Sequence, residues 1–359
     1  IIITYNDCIE MLNLNPKPEI LRRFFIMSAK SMNIAKNYLT GKLKCAEFAL
    51  TNSCIAKCSF CNIWQQKPKV FVDREKALKA LDILADFGVS HMCFTGGEAL
   101  MHPNVVEFVE KATKRKIHSA MLLAAPSLLL RNDMVKRLED AGNDVLSISF
   151  DSEDPEVMAQ SRQIPNIIDD MKRAMELIKK TKVKSMASVL IWNNNYDKLE
   201  EVFKAATDMG YDFIALNYPT FSESSVYVLG GEGINLSREN IIQGLETAIA
   251  LKKEKKYKIV NTTAGMENIV NYLKDPESVK FRCFGGRHVM FVDWFFDVYA
   301  CMQLPKPIGN IFDMKEKDLH IPTCNKCNMS WYRDLSIYFH GIRSLPVLFE
   351  AFRQSGDFL

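Results

Sequence analysis

Cys54-Ile-Ala-Lys-Cys58-Ser-Phe-Cys61 puts three cysteines within eight residues, directly after the apolar run Cys45–Leu50. Three thiolates on one short loop can converge on a single inorganic centre, and soft sulfur ligands favour zinc or iron–sulfur. A structural zinc ion wants a fourth local ligand to close its tetrahedron. Asn62 and Trp64 follow the third cysteine, with no His or Cys beside them. A [4Fe–4S] cluster held by three cysteines instead leaves one iron open to another molecule. Three metal-free thiols are the remaining alternative, which this spacing on a strand-to-helix loop disfavours.

Outward from this loop the chain alternates. Strand-like runs at Cys45–Leu50, Val89–Phe94, Ile117–Leu123, Val145–Phe150, Val183–Ile191 and Phe213–Asn217 are separated by amphipathic stretches at Arg74–Phe87, Asn104–Arg115, Asp133–Ala141, Asn166–Lys180 and Tyr196–Met209. Gly88, Gly142 and Gly210 stand where helices should stop. Six βα repeats imply parallel strands with right-handed crossovers, as a barrel or as an open wound sheet. After Tyr218 the rhythm breaks at Gly230, Gly231 and Gly233. A charged helix (Arg238–Lys256), a short strand (Lys258–Thr262), a helix (Met266–Leu273) and a Cys- and aromatic-rich tail follow.

With 359 residues, 48% of them hydrophobic and 25% charged, the chain can bury one large core and an appended unit, which excludes disorder, collagen and a small disulfide scaffold. The 46 basic and 43 acidic residues leave a net charge of +3, so no global field draws the chain to nucleic acid. The charge-free run Ile117–Leu130 contains Pro126 and is too short to cross a bilayer. Clustered cysteines without a secretion signal point to a cytoplasmic chain that binds metal. The chain opens at Ile1 rather than Met, so residues upstream of it are expected. Glu19–Lys44 carries Arg22, Arg23, Lys30, Lys36, Lys42 and Lys44 against one acid, with apolar residues at helical spacing. Such a helix packs on its parent domain or lies peripherally on an anionic membrane.

CxxxCxxC after the first strand of a βα array resembles the signature of radical S-adenosylmethionine (SAM) enzymes. The resemblance runs over roughly Cys45–Tyr218 and implies a partial (β/α)6 TIM-type barrel. It also implies a cluster at Cys54, Cys58 and Cys61 whose open iron chelates SAM, reductive cleavage of SAM to a 5′-deoxyadenosyl radical, and an electron donor such as flavodoxin or ferredoxin. By the same resemblance Phe60 packs the adenine, and Gly96, Gly97 and Glu98 hold the SAM amino group. Ser149 and Arg162 form the ribose- and carboxylate-binding pair, with Asp151 beside them at the end of the fourth strand. Ser188 and Asn194 lie at the adenine and ribose. The physics agrees: these positions fall near strand carboxyl ends, where parallel βα proteins build sites. Glycines at 96 and 97 allow close backbone approach to a ligand. Arg162 suits a carboxylate. One departure is Leu123-Ala-Ala-Pro126, where many relatives carry Thr-Asn-Gly; it suggests a more apolar substrate side.

Cys283, Cys301, Cys324 and Cys327 form a second set, and Asp297-Val-Tyr-Ala-Cys301 resembles the hairpin-and-Cys segment of SPASM and twitch extensions. No cysteine follows Cys327, which fits the shorter twitch form with one auxiliary [4Fe–4S] cluster held by all four thiolates. A structural zinc ion on the same set is the alternative.

The expected fold is thus α/β, a partial (β/α)6 barrel with a small C-terminal α+β twitch-like domain. Its parts are an N-terminal helical extension (1–44), the barrel (45–256), the auxiliary-cluster domain (257–345) and a tail (346–359). The expected activity is radical SAM abstraction of hydrogen from an unactivated carbon, with two [4Fe–4S] clusters and SAM. The substrate is a lipid or isoprenoid, favoured by the basic N-terminus and the apolar third-strand loop, or a small sugar-like molecule. A peptide-modifying maturase is the alternative, and an iron–sulfur or zinc scaffold the non-enzymatic one. No nucleic-acid partner is expected.

Overall fold

The computed structural model describes residues 28–219, 236–277, 279, 281–321, 329–340 and 344. Arg22, Arg23, the Gly230–Gly233 cluster, Cys324, Cys327 and the tail from 346 lie outside the described residues.

Helix α1 (Ala29–Leu39) precedes β1 (Lys44–Ala49), followed by α2 (Arg74–Asp86), β2 (Val89–Thr95), α3 (Val105–Lys114), β3 (His118–Leu123), α4 (Met134–Ala141) and β4 (Val145–Ser149). Helices α5 (Pro155–Arg162) and α6 (Ile167–Ile178) lead to β5 (Lys184–Leu190), α7 (Leu199–Met209) and β6 (Phe213–Asn217). Then come α8 (Arg238–Lys253), α9 (Thr263–Lys274), the short strands β7 (Val289–Val292), β8 (Asp297–Tyr299) and β9 (Gly309–Asn310), and α10 (Ser330–Ile337).

Among the described residues the strands form one sheet in the order β6-β5-β4-β3-β2-β1-β7-β8-β9. Strands β1 to β6 are parallel, each beside its predecessor. A doubly wound sheet reverses its order at a switch point. From β1 to β6 this one keeps a single direction, so right-handed crossovers carry the connecting helices to one face; the order turns back only at β7, on the other side of β1. In β5 that alternation is visible: Ser185, Ala187 and Val189 are buried, whereas Met186, Ser188 and Leu190 on the other face are partly open. Ala187 and Val189 join Val202 and Phe203 of α7 in the hydrophobic core. Helix α3 likewise buries Val105, Phe108, Val109 and Ala112 along one stripe. Each such Val or Phe contributes about 1.5–3 kcal/mol.

The six strands lie within a residue or two of their expected spans. Helix α4 and helix α7 end at Gly142 and Gly210 in the left-handed region, where a side chain is strained. Helix α5, between Asp151 and Asn166, has no counterpart in the sequence reading; Pro155 opens it, and the Asp154 carboxylate accepts from the amides of Glu156 and Val157. The expected strand Lys258–Thr262 shrinks to a single bridge, Ile259 to Ile214 of β6. Beyond the bridge, Lys252 Nζ takes the carbonyls of Ile259 and Asn261, at 2.7 and 2.6 Å.

Chain from the C-terminal part covers both edges of the parallel sheet. Ile259 docks on β6, while β7 pairs in parallel with β1, Cys45 opposite Val289 and Glu47 opposite Phe291. Helix α1 packs across the amino ends of the strands: Lys30 donates to Gly142 O and Asp144 at 2.6 Å each, and Asn37 Nδ2 donates to Ser90 Oγ at 2.7 Å. Met32 and Leu39 on α1 remain exposed.

Candidate functional site

The three-cysteine loop leaves the carboxyl end of β1 and is clamped from two sides. On the β2 side, Gly97 N donates to Thr51 O at 2.7 Å and Glu98 N to Ser53 O at 2.8 Å. A Cβ on Gly96 would meet Thr51 O at 2.3 Å, and one on Gly97 would meet Ser53 O at 2.2 Å. Both glycines are therefore required for backbone to pack on backbone; they bring β2 against the cysteine loop itself. On the other side the end of α5 supplies two acceptors. Lys57 N donates to Arg162 O at 3.0 Å and Ser59 N to Ser161 O at 3.1 Å.

Glu98 is fully buried. Its Oε2 accepts from Ala124 N at 2.9 Å and Ala125 N at 3.0 Å, and its Oε1 more weakly from Leu100 N at 3.4 Å. Burial pushes its carboxyl up to about 7 against the three amides that favour the charge. Its side chain thus ties β2 to the turn after β3. The Leu-Ala-Ala-Pro departure has a use here, because Ala124 and Ala125 donate those amides. Leu128 and Leu129, which continue this apolar stretch, are buried.

Asp151 and Arg162 form a buried ion pair. Arg162 Nε donates to Asp151 Oδ2 at 2.9 Å, Nη2 donates to the same oxygen, and Leu190 N donates to Asp151 Oδ1 at 2.9 Å. Arg162 Nη1 points to Cys58 Sγ at 3.7 Å, and the guanidinium lies 4.9 Å from the centre of the Phe60 ring. Burial opposes the charge of Arg162, but Asp151 and Cys58 outweigh it and hold the group more firmly protonated. Arg162, at the end of α5, is thus held against Asp151, just past the end of β4, and beneath the cysteine loop. Phe60 is buried edge-on to Trp192, ring centres 6.3 Å apart.

Ser149, the last residue of β4, is the register partner of Ser188, two residues before the end of β5. Asn217 at the end of β6 donates through Nδ2 to Ser188 Oγ at 2.9 Å and accepts through Oδ1 from Ser330 Oγ of α10 at 3.2 Å. A polar row therefore crosses three strand ends. Asn217 escaped the sequence reading, although it ends β6 as Ser149 ends β4. Asn194 is exposed. Its neighbour Asn195 is buried and organises the turn: Nδ2 donates to Asp151 O and Leu190 O at 2.8 Å each, and Oδ1 accepts from Trp192 N at 2.9 Å.

The donor set of the loop suits an iron–sulfur cluster. Burial, then Glu98, pushes the Cys54 thiol up to about 12, and burial raises Cys61. Cationic metal is what turns such thiols into thiolate ligands. Among the described residues no three His, Cys, Asp or Glu side chains converge on a single ion; in a four-iron cube each thiolate binds an iron of its own.

A second pair of thiols lies on the segments flanking β7 and β8, Cys283 before β7 and Cys301 after β8. Gly285 N donates to Cys283 Sγ at 3.2 Å, and Gln303 N to Cys301 Sγ at 3.4 Å. A Cβ on Gly285 would lie 2.5 Å from Ala300 O and 3.3 Å from Cys283 Sγ, so the two segments touch. The buried Tyr332 hydroxyl is pushed up by burial and then by Cys301, Glu47 and Cys283.

Residues 48–206 match the radical SAM superfamily. The AdoMet-dependent heme synthase of Methanosarcina barkeri is 23% identical over 296 residues, 78% of this chain and 83% of that protein. The PqqA peptide cyclase of Granulibacter bethesdensis is 26% identical over 163 residues, 45% of this chain and less than half (43%) of the cyclase. The fold is similar to Streptococcus suis SuiB bound to S-adenosylmethionine, with a TM-score of 0.62 and 14% identity over 90% of this chain and 77% of SuiB. It is also similar to SuiB bound to its precursor peptide SuiA, with a TM-score of 0.56, 12% identity and coverage of 88% and 70%.

Proposed function

We propose that this chain, a radical SAM enzyme, holds its SAM-binding [4Fe–4S] cluster on Cys54, Cys58 and Cys61 and acts on a polar substrate of the peptide class. When bound, the cluster and SAM supply a 5′-deoxyadenosyl radical that removes hydrogen from the substrate. The sheet is read as a partial barrel, and the segment from about residue 257 as a twitch-like unit with an auxiliary [4Fe–4S] cluster on Cys283, Cys301, Cys324 and Cys327.

The chain's own residues divide the remaining work. The Gly96–Gly97–Glu98 turn and the end of α5 hold the cysteine loop rigid. The backbone around Gly97 and Glu98 receives the amino group of SAM. Ser149, Ser188 and Asn217 offer hydroxyl and amide groups to ribose and substrate, with Phe60 at the adenine. A one-electron donor such as flavodoxin or ferredoxin serves the site.

The observation that carries the reading is the double clamp on the three-cysteine loop, which the Cβ distances at Gly96 and Gly97 make obligatory. The peptide class is supported by the polar row at β4–β6, by the burial of Leu128 and Leu129, and by the similarity to a peptide cyclase. The features that favoured a lipid have other uses here, since α1 spends Lys30 on Asp144. Among the described residues no helix is long and apolar enough to cross a membrane.

The test is anaerobic reconstitution. Two clusters predict about eight irons per chain, and dithionite with SAM should release 5′-deoxyadenosine slowly without substrate. Cys58→Ala should abolish that release; release at the parent rate would refute the cluster assignment. A pool of short peptides should accelerate release, and acceleration by lipid vesicles instead would overturn the substrate class.

A further inference from the structure

We infer that Arg162, fixed by Asp151, is a positioning residue that sets the reduction potential of the cluster on the cysteine loop by donating an N–H···S hydrogen bond to Cys58. The inference rests on the assignment of that cluster and goes beyond it. Arg162 was expected to grip the carboxylate of SAM, but most of its fork is committed elsewhere. A guanidinium has five N–H groups on three nitrogens. Here Nε and Nη2 both serve Asp151, and Nη1 serves Cys58 at 3.7 Å.

Four further contacts make this a built device. The backbone carbonyl of the same residue accepts from Lys57 N at 3.0 Å, so Arg162 holds the loop through main chain and side chain together. Phe60, between the second and third cysteines, closes over the guanidinium at 4.9 Å. Asp151 is itself locked by Leu190 N at 2.9 Å and, through its carbonyl, by Asn195. The side chain of Arg162 is only 9% exposed and that of Asp151 is fully buried, so water screens the charge little.

The electrostatic sign follows. Reduction adds one electron, and so one negative charge, to the cluster. A cationic donor on a ligand sulfur favours the reduced form and raises the potential; hydrogen bonds to sulfur and local charge are the usual protein controls. Asp151 partly cancels the charge of Arg162 and fixes its direction. Removing Arg162 should therefore lower the potential, and neutralising Asp151 should raise it. A purely structural pair would not give opposite signs.

The experiment is a potentiometric titration of the reconstituted protein, followed by EPR of the reduced cluster, with iron content measured on every sample. Arg162→Gln should lower the equilibrium constant for reduction about tenfold, which is about 59 mV for one electron. Arg162→Lys keeps the charge but loses the fork, and should fall by less. Asp151→Asn should move the midpoint upward. If Arg162→Gln fails to retain iron, the Lys and Asn variants decide the sign. Midpoints for Arg162→Lys and Asp151→Asn that coincide with the parent, or move together in one direction, overturn the inference. Failure of the underlying assignment looks different: Cys58→Ala would then keep the parent's EPR signal.

Discussion

Replacing Glu98 with Ala should destabilise the protein before it affects any chemistry. The carboxylate is fully buried and takes the amides of Ala124 and Ala125 at 2.9 and 3.0 Å. Its removal leaves two donors without an acceptor. A buried unsatisfied donor costs about 1–3 kcal/mol. Ala125 is fully buried and sits toward the upper figure; Ala124 is partly open and sits toward the lower. The burial that pushes the Glu98 carboxyl up to about 7 is relieved by the same change and returns part of the loss. A net cost of about 2–4 kcal/mol results, which for a large domain lowers the melting temperature by roughly 5 °C or more. Glu98→Gln keeps one oxygen for the Ala124–Ala125 pair and sacrifices only the long contact to Leu100 at 3.4 Å, so it should cost about 1 kcal/mol. Scanning calorimetry on the iron-free protein reads both. SAM affinity of the reconstituted Ala variant should fall as well, because the turn that clamps Thr51 and Ser53 loses its anchor. A melting temperature for Glu98→Ala within about one degree of the parent would refute the strut that ties β2 to β3.

Glu47 on β1 is buried, and among the described residues its Oε2 has no partner; burial pushes its carboxyl up to about 8. A raised carboxyl stabilises the fold below its unfolded value, and that contribution is lost as pH rises through about 8. The melting temperature of the iron-free protein should therefore fall between about pH 5 and pH 8. The slope should flatten in Glu47→Gln, since the facing Cys93 and Tyr332 are themselves pushed up and stay neutral across that range; an equal slope in parent and variant counts against an ionising Glu47. Gly97→Ala should leave little protein with iron on the loop, because its Cβ would meet Ser53 O at 2.2 Å; full iron content by elemental analysis would show that the loop can move aside. Cys301→Ala should reduce the iron count from about eight to about four and leave SAM cleavage measurable; zinc in the parent protein would replace the auxiliary cluster with a structural ion.

Much of the fold was legible because its signals are local. Apolar runs bounded by glycines located six strands, and Gly142 and Gly210 end their helices as read. The cysteine loop and Gly96–Gly97 were legible as motifs, yet the glycines pack backbone on backbone, a contact between β1 and β2 that no spacing announces. Arg162 was legible as a motif residue, but its contacts were not: helix α5, opened by Asp154 and Pro155, turns it toward Asp151 and Cys58. Asn194 and Asn195 both follow β5, and only the turn there leaves Asn194 exposed and Asn195 buried. Most hidden was β7. Val289–Val292 is four residues long, and its pairing with β1 spans more than 240 residues of sequence.

That long-range pairing explains how the two thiol sites can belong to one machine. Strand β7 brings the Cys283 segment to the β1 side of the sheet, and helix α10 then crosses back. Its first residue, Ser330, bonds to Asn217 at the end of β6, and Trp331 lies 5.8 Å from His91 of β2, which stacks on His118 of β3. Tyr332 sits by Glu47, Cys301 and Cys283, and the Arg333 guanidinium reaches Asn268 of α9. One helix thus touches the polar row at β6, the inner face of β1 to β3 and the second thiol site within four consecutive residues. On that face lie the buried Glu47 and the half-buried His91 and His118, whose imidazoles are pushed down to about 3, chiefly by burial. A change of charge at Cys283 and Cys301 would therefore act on Tyr332 and Glu47 through a poorly screened interior. The C-terminal segment is in this sense part of the inner face of the sheet, and removing it would expose that face and break the Ser330–Asn217 end of the polar row together.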